Sequence, residues 1–219
     1  MHVLTWNLFH GRAVPPEGRP LLGDFAAALA GWDWDVALLQ EVPPWWPPAL
    51  ARAAGAQAAR TALTSRNAGL ALRRAVAARS PDLIKSGGGG ANAILVRDQA
   101  VLDHRRQTLR WWPERRVAHG VLLASGTWCV NLHAQVHSQA RADADIAAAA
   151  RTALGWAGGG PVVLGGDCNV PAPHAARFAA AGGHGVDHLL VHELQGVGRA
   201  RTLDAGRLSD HRPVLVQVG

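Results

Sequence analysis

An apolar strand that runs into two glycines, an acid, an amide and a proline leaves this chain few ways to fold. Pro161-Val162-Val163-Leu164 is a short β-branched run and reads as a buried strand. Gly165 and Gly166 carry no side chain, so another group can approach the backbone closely there. Pro171 ends any ladder. Asp167 and Asn169 then stand two residues apart at the strand's carboxyl end and point the same way. A carboxylate that only accepts hydrogen bonds, beside an amide that donates and accepts, can hold and aim a water. Taken alone, the segment also fits an ordinary strand-to-loop turn, where Asp and Asn are common.

A buried strand needs partners, and the chain supplies them. Val3 to Trp6, Asp35 to Leu39, Asn92 to Val96, Val101 to Leu109, Gly185 to Val191 and Val214 to Val218 read as strands. Arg116 to Ala124 and Thr127 to Leu132 read as a hairpin turned at Ser125-Gly126, and Arg199 to Leu203 as an edge strand. Helices are expected over Phe25 to Leu29, Ala49 to Ala59, Ala68 to Arg79, Gln139 to Trp156 and Ala175 to Ala181. The run Gly87 to Gly90 is expected as a turn; no Lys-Ser or Lys-Thr pair follows it, as a phosphate-cradling loop would need. With no repeat, long linker or composition break, one domain over residues 1–219 fits the 219-residue length.

Composition narrows the partners. The net charge is +6, and Lys85 is the sole lysine, so the positive charge is almost entirely arginine. Arginine's planar fork suits phosphate, and a basic surface attracts polyanions. Biased base composition of the encoding genome would produce the same scatter of Arg and Ala. Cys129 and Cys168 lack metal-site spacing and are expected as buried free thiols, with a single disulfide as the alternative. The start of the chain lacks the basic and apolar segments of a signal peptide, and no run approaches the ~18 apolar residues of a membrane span. A cytoplasmic monomer is the expectation.

The strand ends carry the chemistry. Asn7, Glu41, His133, Asp167, Asn169, Asp187, Asp210 and His211 all fall at or beside the end of an apolar run. Singly, each is a common turn, surface or capping residue. Repeated at strand after strand, polar ends gathered on one edge make a site. Asn, Glu and Asp offer oxygen ligands, which suit a hard hydrated cation, Mg²⁺ or Mn²⁺, ahead of Zn²⁺. The two histidines are better used on protons, and an imidazole needs a carboxylate on its second nitrogen to fix its tautomer; Asp187 is the candidate for that role.

These residues lie in motifs that resemble the endonuclease/exonuclease/phosphatase superfamily, the DNase I-like hydrolases of phosphoesters. The matching pieces are TWN at 5–7, LLQE at 38–41, VNLH at 130–133, GGDCN at 165–169, VDHLLV at 186–191 and SDHRPV at 209–214, in the family's order. The resemblance implies an α/β (α+β) fold, a four-layer α/β/β/α sandwich of two mostly antiparallel sheets flanked by helices. It implies Mg²⁺-dependent hydrolysis of a phosphodiester. By motif, Asn7, Glu41 and Asp210 resemble the metal-site residues. His211 resembles the histidine that activates water or contacts the phosphate, with Asp187 orienting it. Asp167 and Asn169 resemble the pair that positions nucleophile and phosphate, and His133 a histidine near the leaving oxygen.

The chain also departs from the family. Phe9 stands where an acid often follows the first metal-site Asn, and Cys168 replaces an aromatic residue. The absence of tyrosine argues against the abasic-site branch. The expected partner is a phosphoester, with nucleic acid a candidate because of the charge. Arg116 is a weak candidate for a phosphate contact, its expected state being solvated on a loop. Two alternatives stay open. One is a phosphatase or phospholipase acting on a small or lipid substrate. The other is a non-catalytic nucleic-acid-binding domain using arginines and the tryptophan pairs 45–46 and 111–112, although such pairs more often serve as packing.

Overall fold

The computed structural model describes residues 1–65, 67–84 and 90–219. Most of the expected glycine turn, residues 87–89, lies outside the described residues. In chain order the strands are β1 (His2–Asn7), β2 (Val36–Val42), β3 (Ala58–Leu63), β4 (Ala91–Val96), β5 (Val101–Arg110), β6 (Arg116–Leu123), β7 (Trp128–His133), β8 (Val162–Asp167), β9 (Ala179–His184), β10 (Asp187–His192), β11 (Gly196–Thr202) and β12 (Val214–Val218). The helices are α1 (Leu22–Gly31), α2 (Pro47–Ala53), α3 (Leu70–Arg79), α4 (Pro81–Ile84) and α5 (Gln139–Ala157), with a 3₁₀ turn at Phe9–Gly11.

The strands form two six-stranded sheets, ordered β11-β12-β1-β2-β4-β3 and β5-β6-β7-β8-β10-β9. Among the described residues, β1–β2 and β7–β8 are parallel pairs and the other pairs are antiparallel. The sheets pack face to face over the alternate apolar residues of their strands, including Val3, Leu38, Ile94, Val121, Val163, Leu189 and Val216. The outer face of the first sheet, with Leu4, Trp6 and Leu39, takes Phe25, Leu29 and Leu50 of α1 and α2. The outer face of the second, with Val130, Leu132, Val162 and Leu164, takes Ile146 and the alanines of α5. Helix, sheet, sheet and helix make the four layers that the motifs implied.

Local signals explain most element boundaries. Helix α5 starts at Ser138, whose hydroxyl accepts the Arg141 N–H, and stops at Gly158 in the left-handed conformation. The hairpin β6–β7 turns at Gly126, φ +85°. Cys129 lies in the core between the sheets and Cys168 beneath α5, both as free thiols, so the disulfide alternative falls.

Two expectations fail. The helix expected over Ala49 to Ala59 stops at Ala53, and Ala58–Leu63 is strand β3, paired antiparallel with β4. The helix expected over Ala175 to Ala181 is loop followed by strand β9, paired with β10. In both, pairing on a sheet overrides the helical preference of an alanine-rich run. Among the described residues no helix is long and apolar enough to cross a membrane.

Candidate active site

Strand direction assembles the site. The parallel pair β1–β2 sets Asn7 beside Gln40, the residue before Glu41. The parallel pair β7–β8 sets His133 opposite Asp167. Strand β10 runs the other way, so its first residue, Asp187, also sits opposite Asp167. Loop 203–213 brings Asp210 and His211 to the same edge. It is tied to β1 by the Ser209 hydroxyl donating to the Asn7 carbonyl (2.7 Å) and by the Trp6 indole donating to the His211 carbonyl (3.1 Å). The first sheet and its loops thus contribute Asn7, Glu41, Asp210 and His211, and the second contributes His133, Asp167 and Asp187.

These ends meet over one cavity of about 260 Å³. Asn7, Glu41, His133, Asp167, Asn169, Asp210 and His211 line it, and Asp187 stands behind His211. All eight residues singled out in the sequence are therefore brought together. The chain also holds Glu41, Asn169 and Ser209 at positive φ (50°, 52° and 65°). Such strain in non-glycine residues gathers where a site must aim its groups.

Asp167 is the centre of the hydrogen bonding. Its Oδ2 accepts from Asn7 Nδ2 at 2.9 Å, and its Oδ1 accepts from the Asn169 amide at 3.0 Å. Asn169 Nδ2 donates to the Ala134 carbonyl at 2.9 Å. His211 Nδ1 lies 2.7 Å from Asp187 Oδ2, and its Nε2 lies 3.8 Å from Asp167 Oδ2. His133 Nε2 stands 3.5 Å from Asp167 Oδ2 and 3.9 Å from Glu41 Oε1.

Environment divides these groups by charge. Burial and the nearby Asp187 charge push Asp167 up to about 6, against the opposing pull of His211, Asn7 and Asn169. For His211, burial acts to lower the value, but the hydrogen bond to Asp187 and the charges of Asp187, Asp167 and Asp210 win and raise it to about 9. Burial and Arg116 drive His133 down to about 3. Burial alone would raise Glu41, yet its bond to His10 and the charges of His133, His10 and His211 take it down to about 2.

Two residues at the site were missed or undervalued in the sequence. His10 lines the cavity and pairs with Glu41, Nε2 to Oε2 at 2.9 Å. Arg116 opens β6 and is only 4% exposed; it lines the cavity and pairs with Glu114, so the expectation of a solvated loop charge is wrong. The tryptophan pairs separate: Trp46 is packed in the core against Phe25 at 5.5 Å, whereas Trp111 and Trp112 are 72% and 80% exposed on the loop leading to Glu114 and Arg116.

Two arrangements could hold a cation. Asn7, Glu41 and Asp210 present oxygen ligands to the cavity, a donor set that fits a hard divalent ion. Asp167, Asp187 and His211 have ligand atoms within 4.8 Å of one another. An ion in that second trio would have to displace the proton shared by Asp187 and His211. An ion in the first arrangement leaves the Asp187–His211 bond intact.

The profile of the Endonuclease/Exonuclease/phosphatase family matches residues 4–211. No curated protein matches the chain by sequence. Solved structures of the same fold include a mannosyl-6-phosphatase from Bacteroides thetaiotaomicron (14% identity, TM-score 0.74, covering 100% of this chain and 99% of that one). They also include an endonuclease/exonuclease/phosphatase from Beutenbergia cavernae (18%, TM-score 0.73, 100% and 71%). Truncated Caenorhabditis elegans TDP2 is a third (15%, TM-score 0.64, 98% and 96%). At these identities the likeness is one of fold.

Proposed function

Because the chain belongs to the endonuclease/exonuclease/phosphatase family, a family of phosphoesterases, we propose that it hydrolyses a phosphodiester by water attack in the cavity just described, with a divalent ion held by Asn7, Glu41 and Asp210. Mg²⁺ is the expected ion, with Mn²⁺ able to replace it. Bound there, the ion screens the substrate's negative charge and steadies the leaving oxygen.

The chain's own groups do the rest. Asp167, with a value raised to about 6, is ionised at neutral pH and more basic than an ordinary carboxylate, so it takes the proton of the attacking water. Asn7 and Asn169 hold that carboxylate in place. His211, kept protonated by Asp187, donates from Nε2 to a phosphoryl oxygen as charge builds there. His133 is neutral and sits between Glu41 and Asp167, where its N–H can meet the leaving oxygen. Arg116, a buried cation in the cavity wall, adds a fixed charge for the phosphate.

The observation supporting this reading is the hydrogen-bonded run Asp187–His211 and Asn7–Asp167, which joins the ends of both sheets around one cavity. A pure binding domain has no need of a buried acid and an imidazole held in opposite charge states. In this reading the protein acts as a cytoplasmic monomer, with nucleic acid as the first substrate to try. The test is a panel of duplex DNA, single-stranded DNA, RNA, sphingomyelin, phosphoinositides and a sugar phosphate, each with Mg²⁺ and with chelator. We expect hydrolysis of a diester that chelator and Asp167→Asn both remove while circular dichroism stays unchanged. Turnover that persists in chelator sinks the metal-dependent reading, and turnover confined to the sugar phosphate makes the protein a phosphatase.

A further inference from the structure

The turn after β1 carries a histidine whose placement the reaction above leaves unused. His10 adopts φ 55°, follows Phe9 at φ 48°, and reaches Glu41, itself at φ 50°. Its side chain is 14% exposed and lines the cavity on the same wall as Asn7 and Glu41. The turn is pinned on both sides. The Leu8 N–H donates to the Gln40 carbonyl at 2.9 Å, and the Phe9 N–H donates to Asn7 Oδ1 at 2.9 Å. Gly11, φ +78°, has the Trp46 ring packed where a Cβ would stand. Backbone strain of this kind costs on the order of 1–3 kcal/mol per residue and persists where the surroundings enforce it. Here three strained residues, from two elements, bring one imidazole nitrogen to one carboxylate oxygen.

We propose that His10 is a nitrogen ligand to the divalent ion, sharing it with Glu41, so that the site is mixed nitrogen and oxygen instead of all oxygen. The inference rests on the reading of this cavity as a divalent-ion site. Adjacent ligand atoms on an octahedral ion with bonds of about 2.1 Å stand about 3 Å apart. His10 Nε2 and Glu41 Oε2 are 2.9 Å apart, the spacing of two adjacent ligand atoms, so one ion can take the place of the proton between them. A direct hydrogen bond has the same length, and the choice between the two is therefore made at the ion. An imidazole also tilts such a site toward first-row transition ions relative to Mg²⁺.

The experiment loads the whole protein with Mn²⁺, a paramagnetic probe, and reads nitrogen couplings by pulsed EPR. The expected result is an imidazole nitrogen coupling in the wild type that changes pattern on ¹⁵N-histidine labelling. It should vanish in His10→Gln and survive in His133→Gln and His211→Gln. Mn²⁺ bound without any nitrogen coupling overturns the proposal and leaves the proposed function standing. A coupling that survives in His10→Gln and disappears in His211→Gln also overturns it, and puts the ion with Asp167 and Asp187. Failure of the wild type to bind Mn²⁺ overturns both. The wild-type spectrum alone can refute the idea, so the test does not depend on the variant's folding.

Discussion

Single side chains set the charge states that the proposed reaction would use. That reading needs Asp167 ionised and His211 protonated at once. Activity should therefore rise with pH through about 6 and fall again through about 9. These are apparent values of a coupled set, measured as the limbs of a kcat/KM profile. Asp167→Asn should cut turnover on the order of 10²- to 10⁴-fold and flatten the acid limb, and His211→Gln should remove the alkaline one. An alkaline limb unchanged in His211→Gln would assign that proton elsewhere. The eight residues singled out by sequence were legible because each breaks an apolar run, which is a visible discontinuity. Arg116 was not. It sits among other arginines, and sequence gives no sign of which cation a strand will bury. His10 was missed because a turn residue carries no periodic pattern, although it stands three residues after Asn7 in a stretch already under suspicion.

Elements position those side chains, and glycines make the positioning feasible. Gly166, φ +137°, lies against the Leu132 carbonyl, and Gly165 against the His188 carbonyl, so that a Cβ at either would collide with backbone. The close approach expected at this pair is present on both sides. Gly166→Ala should destabilise by about 1–3 kcal/mol through overpacking and lower activity further by moving Asp167 away from His133. Denaturant unfolding together with turnover checks both. Strands β3 and β9 were misread because alanine-rich runs have high helix propensity and their strand state depends on partners far along the chain. Gly55, φ +69°, was a usable stop signal for α2. The exposed loop with Trp111 and Trp112 should act on substrate capture. Replacing both by alanine should raise KM for a nucleic-acid substrate about tenfold or more, since each stacked base contributes ~1–3 kcal/mol, and leave kcat alone. A kcat effect with unchanged KM would place the loop in the chemistry instead.

On the scale of the molecule, buried titrating groups tie stability to pH. His119, bonded to His104 at 2.9 Å, is driven by burial to about 3, as is His133. Between their ordinary value of 6.5 and about 3 the unfolded chain binds these protons and the folded one does not, so stability falls as pH drops through that window. Glu41, held at about 2, adds to the loss below 4.5, and Asp167, raised from 3.8 to about 6, offsets part of it. His211, raised from 6.5 to about 9, contributes stability at low pH that disappears as pH rises through 9. Thermal melts of metal-free protein should peak near pH 6.5, where these opposing windows meet. His119→Phe should flatten the acid side. The sandwich itself was legible through motif order more than through periodicity, because the pairing of two sheets is a long-range fact that local patterns do not carry.

Strand β1 lies between β2 and β12, with Leu4 opposite both Ala37 and Leu215. On a ribosome β1 emerges well before β12 and waits for it to complete this pairing. Until then its flank is open, and neither His211 nor the serine that fastens it to β1 has emerged. A nascent chain that stops short of residue 209 therefore lacks both the Ser209 tether and the Asp187–His211 pair on which the proposed chemistry depends. Under that chemistry the site is complete only once β12 has closed the open side of β1.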